Sequence, residues 1–146
     1  MSGEMTDSKG SRPITGSGRC LCGAVRYTVY GKLRERISAC HCHMCRRHHA
    51  GLGYYTSVAK DDIEIDGGDA LRWFNSSPGV GRGFCQNCGS TLFFRDEQYP
   101  VVDIAPGTLD QMPDLKVTHH IFVASKGDYY EIEDDLPRYP ESSSGS

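Results

Sequence analysis

Apolar side chains along this chain come in short runs, most of them with the two-residue period of a strand. Val25, Tyr27 and Val29 share one face of a segment that opens at Cys22 and stops at Gly31. A short run from Ile37 to Ala39 leads into a cysteine cluster, and His43 to His49 has room for one or two helical turns before Gly51. Tyr54–Val58, Ile63–Ile65 and Leu71–Asn75 read as further strands, and Ser76-Ser77-Pro78-Gly79 as a turn. Another strand would enter Cys85, and Thr91–Phe94 would leave the knuckle that follows it. Val101–Ala105, His120–Ala124 and Tyr129–Ile132 complete the series, with Pro106, Gly107 and Pro113 in the loop between the first two. Many short strands with little helix predict an all-β fold, a folded sheet or small sandwich.

At 146 residues the chain predicts one domain without a second core. Its 17 glycines and 7 prolines agree with short elements joined by turns. Residues 1–18 and 141–146 read as flexible tails around a folded region at 19–140. A net charge of −3 argues against a general affinity for nucleic acid or an anionic membrane. No stretch has the length and apolarity of a membrane span. The first residues carry Glu4, Asp7 and Lys9 and no apolar core of a secretory signal, so the default expectation is cytoplasmic.

In such a compartment thiols stay reduced, and paired cysteines hold metal more often than they form disulfides. The 7 cysteines fall into Cys20-Leu21-Cys22, Cys40-His41-Cys42-His43-Met44-Cys45 and Cys85-Gln86-Asn87-Cys88. Cys20 and Cys22 are one residue apart, so an extended backbone turns both thiols to the same side. Cys85 and Cys88 need a tight turn, and Gly89 tolerates positive φ just after it. Together the two pairs make a closed four-thiolate zinc site that pins the start of the domain to its middle. A redox Cys-x-x-Cys is the other reading of the second pair, but it would open a helix in a βαβ unit, and no such unit is visible.

Cys40, Cys42 and Cys45 are left to form a three-thiolate site with one position open, as catalytic zinc requires. Three thiolates give the zinc unit a formal charge of −1, which makes it a mild Lewis acid better suited to a thiolate than to a hard hydroxide. A second structural site completed by His41, His43, His48 or His49 is the alternative, and spacing also permits a re-sorting of cysteines between the two ions. His119 and His120 read as satisfied structural groups. Tyr54, Tyr55 and Trp73 could wall a pocket but fit a core equally, while Phe93, Phe94 and Phe122 are assigned to the core. Arg82 has no decisive role.

Taken together, Gly18-Arg19-Cys20-Leu21-Cys22-Gly23-Ala24-Val25, Cys40 to Arg46, Ser76 to Gly79, Phe84 to Ser90, Gly107-Thr108-Leu109, His120 to Lys126 and Asp134 to Pro137 resemble one family. It is the glutathione-dependent formaldehyde-activating enzyme family, which includes the centromere-protein-V-like proteins. The resemblance implies an all-β Mss4-like fold with two zinc ions per chain. It places Cys20, Cys22, Cys85 and Cys88 on a structural ion and Cys40, Cys42 and Cys45 on a catalytic one. The implied activity is that of a carbon-sulfur lyase run toward synthesis, joining formaldehyde and glutathione into S-hydroxymethylglutathione. Where relatives often lead to a Trp after the Ser-Lys pair, this chain carries Tyr129-Tyr130, so that wall of the pocket differs.

On this reading the partners are glutathione or another small thiol and a small carbonyl compound. His43, His48 and His49 are candidates to protonate the new hydroxyl, with His43 placed first beside the thiols. Arg46 and Arg47 could clamp a carboxylate of glutathione by charge-assisted hydrogen bonds, or form an ordinary solvated basic turn. Two other functions compete. A non-catalytic zinc adaptor for a protein or chromatin partner would fill the second site, and the acidic balance weighs against it. A redox enzyme on a related fold would need a cysteine outside both metal sites, and four plus three leaves none.

Overall fold

The alternation at Val25, Tyr27 and Val29 appears as expected: all three side chains are buried, and the residues between them are not. The structure, a computed structural model, describes residues 12–111 and 114–142. Its strands are β1 (Gly16–Arg19), β2 (Arg26–Val29), β3 (Arg36–Cys40), β4 (Gly53–Ala59), β5 (Ile63–Asp66), β6 (Leu71–Ser77), β7 (Val80–Cys85), β8 (Thr91–Asp96), β9 (Val101–Ile104) and β10 (Lys116–Ile121). One α-helix, α1, spans His43–His49. The architecture is the all-β one expected, with many short strands and little helix.

The chain falls into two compact units. The first comprises the described residues of Met1–Arg34 and Ser57–Pro113, and the second those of Glu35–Thr56 and Asp114–Ser146. A chain that leaves one unit at residue 34 and returns at 57 cannot show this division in its composition.

In the first unit β1, β2 and β5 form an antiparallel sheet in that order. The β6 to β9 strands form an antiparallel meander, turning at Pro78-Gly79 with Ser76 and Ser77 still in β6. Tyr27, Val25, Val29, Val58, Leu92, Phe93, Ile104 and Leu109 are packed into one core, with Tyr27 edge-on to Phe93 at 5.3 Å. Full burial of each such side chain contributes about 1.5–3 kcal/mol. Trp73 stacks on Phe93 at 6.0 Å, with the Arg95 guanidinium 3.9 Å over its ring, and it packs against this core. Arg82 is buried as well, donating to Ser76 Oγ at 3.0 Å and lying 5.0 Å over the Phe94 ring.

The second unit is built on β3, with β10 parallel on one side and the start of β4 antiparallel on the other. Downstream of β10 the chain returns along it: His120 N–H donates to Pro137 O, Tyr139 N–H to His120 O and Phe122 N–H to Glu141 O, each at 2.9 Å. Those bonds occupy an edge that would otherwise be an open template for pairing.

Four expectations need correction. The tail set at residues 1–18 ends earlier, because β1 begins at Gly16 and Thr15 N–H already donates to Val29 O at 2.7 Å; residues 1–11 lie outside the described residues. At the other end Glu141 accepts from Phe122, so the tail set at 141–146 begins with a bonded residue, and 143–146 are outside the described residues. The strand expected at His120–Ala124 lies at Lys116–Ile121, because Phe122 takes a left-handed φ of 57° that strand pairing cannot continue through. No strand forms at Tyr129–Ile132; Lys126 Nζ donates to the carbonyls of Gly127 and Tyr130 and holds that stretch in a turn. Pro113, placed in a loop, lies outside the described residues.

Candidate metal centres

The first unit brings Cys20, Cys22, Cys85 and Cys88 together, with all four sulfurs within 4.8 Å of one another. Cys20 follows β1 and Cys85 ends β7, so the two pairs enter from different sheets. Gly89 has φ +82°, and its N–H donates to Cys85 O at 2.7 Å, closing the knuckle. Sulfurs of Cys20 and Cys22, and of Cys22 and Cys85, are 3.7 Å apart. That is far beyond a disulfide bond, but it matches the edge of about 3.8 Å in a tetrahedron of 2.3 Å zinc–sulfur bonds. Val25 N–H donates to the Cys20 sulfur at 3.3 Å, and Ser90 Oγ lies 3.2 Å from that of Cys88. The Ser90 contacts hold the Cys88 thiol down to about 5. These donors favour ionised sulfur, the form that binds metal.

In the second unit Cys40, Cys42 and Cys45 also converge within 4.8 Å. Cys40 is the last residue of β3, Cys42 caps α1 and Cys45 lies in its first turn. The Cys42 sulfur accepts from Cys45 N–H at 3.2 Å, taking the place of the usual hydroxyl or carboxylate cap. Hydrogen bonds with Cys40 and Cys45 hold the Cys42 thiol down to about 2, and those with Cys42 and Cys45 push Cys40 up. The first negative charge in the cluster therefore sits on Cys42. Among the described residues no histidine, aspartate or glutamate joins these three sulfurs. The helix ends as the sequence suggested, although Ala50 rather than Gly51 takes the left-handed turn, at φ 58°.

Other candidates separate clearly. His43 is exposed on the first turn of α1, Arg46 is half-buried and Arg47 is exposed. His49 Nε2 is 2.5 Å from the buried Tyr55 hydroxyl, so Tyr55 is core while Tyr54 is exposed. His119 is buried, with Nδ1 2.9 Å from Thr118 Oγ1.

His41 is engaged elsewhere than in the cluster. Its Nε2 lies 2.8 Å from Nδ1 of His120, and its Nδ1 meets the Tyr130 hydroxyl. His120 Nε2 reaches both oxygens of Asp134, at 3.1 and 3.0 Å. The His120 bond holds the Asp134 carboxyl below its usual range, so the carboxylate accepts and His120 Nε2–H donates. With Nε2–H facing Asp134, His120 accepts at Nδ1 from His41 Nε2–H, and His41 Nδ1 accepts from Tyr130. Burial, with His120 and Lys126, pushes His41 down to about 4, which keeps it neutral near pH 7. Sequence reasoning missed His120, Tyr130 and Asp134 as a group. Alternation puts Ala39 and His41 on one face, but the parallel register that sets His120 opposite Ala39 is signalled in neither strand.

The family model described as glutathione-dependent formaldehyde-activating enzyme matches residues 15–125, and this chain belongs to that family. A Halomonas elongata protein, provisionally named as such an enzyme, is 29% identical over 126 residues, covering 80% of each chain. A crystal structure of a Rhodobacter sphaeroides protein superposes with a TM-score of 0.53 at 21% identity, covering 66% of this chain and 90% of that one. The fold is thus the Mss4-like all-β fold, and each cysteine cluster is a set of residues that could hold a metal ion, compatible with zinc. Among the described residues no helix is long and apolar enough to cross a membrane.

Proposed function

We propose that this protein is a zinc-dependent carbon-sulfur lyase-type enzyme that condenses formaldehyde with glutathione to S-hydroxymethylglutathione. The observation that carries the reading is the three-thiol cluster, which no fourth protein ligand joins among the described residues, in a chain of this family. Cys20, Cys22, Cys85 and Cys88 would hold a structural zinc, and Cys40, Cys42 and Cys45 a second one with room for an outside ligand. Zinc at the second site would favour the thiolate form of a thiol arriving there and so raise the nucleophile's population at neutral pH.

In the reaction the glutathione sulfur loses its proton and bonds to the formaldehyde carbon, the carbonyl pair moves to oxygen, and that oxygen takes up one proton. We assign the returning proton to His43, which is exposed beside Cys42 and can exchange with solvent. Arg46 and Arg47, one and two residues past Cys45, would receive a substrate carboxylate. Metal-ligand spacing of the seven cysteines fits a reducing compartment such as the cytoplasm.

Two-dimensional exchange NMR on an equilibrated mixture of glutathione and formaldehyde tests this. The zinc-loaded protein should accelerate exchange between free and hydroxymethylated glutathione, and Cys42→Ser should abolish the acceleration while keeping the fold. No acceleration by protein that carries two zinc ions would reject this substrate pair and favour the adaptor reading.

A further inference from the structure

Successive side chains of an extended backbone point to opposite sides. Cys40 ends β3, and Cys42 is still extended at φ −65° and ψ 159°. His41, between them, therefore points away from the side that the two thiols share. The residue is 1% exposed, and its ring is engaged at both nitrogens, by Tyr130 and by His120. Its backbone is fixed too, because His41 N–H donates to Ile121 O at 3.0 Å. Both ring nitrogens being engaged also explains why His41 is no metal ligand.

We propose that His41 is a positioning residue for the three-thiol site. Held by Tyr130 on one side and by His120 and Asp134 on the other, it aims Cys40 and Cys42 together toward Cys45. The inference rests on the reading of that cluster as a metal site. A single residue links the two thiols, so rotation of the backbone at His41 would turn one of them away from Cys45. Locking the ring removes that freedom before the ion arrives. The far end of the chain of bonds is Asp134, whose side chain is 45% exposed, so a surface carboxylate bears on the geometry of the Cys40 and Cys42 thiols.

The test compares Tyr130→Phe and Asp134→Asn with the parent, each as the full zinc-loaded chain. Tyr130→Phe removes one hydroxyl and keeps the ring. Asp134→Asn keeps an oxygen for the Leu136 N–H that Asp134 accepts at 3.0 Å, and removes the charge facing His120. Release of zinc to a coloured chelator should show two phases, and Cys42→Ser identifies the phase of the three-thiol site by losing it. Both variants should speed that phase roughly ten- to a hundredfold and leave the other at the parent rate. Cadmium-113 NMR of the cadmium-loaded chains should show the three-thiol resonance moving while the four-thiol resonance stays. Parent rates in both variants would overturn the proposal and leave the metal site standing. Equal acceleration of both phases would mark general loosening and overturn it as well. If Cys42→Ser removes no phase, the cluster holds no metal, and the proposed function falls together with this inference.

Discussion

Gly18 lies directly beneath the ring of Tyr27, its partner across β1 and β2. A Cβ at this position would stand 2.2 Å from Tyr27 Cζ and Oη and 2.5 Å from the Thr108 carbonyl oxygen. Neither neighbour can yield easily, because the Tyr27 hydroxyl is held by Thr108 Oγ1 at 2.8 Å and the ring is packed on Phe93. Gly18→Ala should therefore destabilise the protein by roughly 1–3 kcal/mol or more, as overpacking does. Urea unfolding reads this as a lower midpoint. Gly51→Ala is the control, since a Cβ there meets nothing within 4 Å and should change the midpoint little.

The four-thiol cluster joins the end of β1 to the end of β7. Cys85→Ser should bring zinc content from two ions per chain to one. It should also lower the unfolding midpoint sharply, because metal binding in such sites stabilises small domains by as much as about 10 kcal/mol. Cys42→Ser should also bring zinc to one ion per chain but leave most of the stability. Elemental analysis and thermal unfolding of the two variants check the contrast. Equal loss of stability would deny the division into structural and catalytic sites.

Arg46 and Arg47 are neighbours with different surroundings. Arg46 is half-buried, and its charge acts on the Tyr130 hydroxyl, whereas Arg47 is exposed. If a carboxylate of glutathione is clamped here, Arg46→Ala should raise KM for glutathione about tenfold with kcat nearly unchanged, the loss of one charge-assisted hydrogen bond. Arg47→Ala should have the smaller effect. Steady-state kinetics with glutathione as the varied substrate would show it, and an unchanged KM in both variants would remove the clamp.

Much of this was legible in the residues because the evidence was local. Val25, Tyr27 and Val29 declare a strand by alternation, and the cysteine spacings declare two clusters wherever the chain runs. What stayed hidden depended on partners far along the chain. β1 reads Gly-Ser-Gly-Arg, with no apolar side chain, and becomes a strand because Tyr27 packs over Gly18. His120 looked like an isolated structural histidine until the parallel register set it opposite Ala39, beside His41. Tyr130 looked like part of a strand, but a turn held by Lys126 presents its hydroxyl to His41 instead. Parallel pairing leaves no signature of register in either strand, so only the folded chain could show which histidines meet.

Asp103, on β9, gives the stability a pH dependence opposite to that of most carboxylates. Burial raises its carboxyl to about 6, Arg34 opposes the rise and Asp96 adds to it. The unfolded chain releases this proton near the ordinary carboxylate value, so between that value and 6 the folded state binds more protons. Stability from this group is therefore full below the unfolded pKa and is lost as pH rises through the folded one. A shift of one unit corresponds to about 1.4 kcal/mol, and after discounting for the partly exposed side chain the effect is about 1–2 kcal/mol. Asp103→Asn cannot ionise and should be more stable than the parent by that amount above pH 7, with the difference shrinking toward pH 4. Urea unfolding across pH 4–8 measures it directly. A parent that gains stability relative to Asp103→Asn as pH rises would show that the Arg34 attraction outweighs burial.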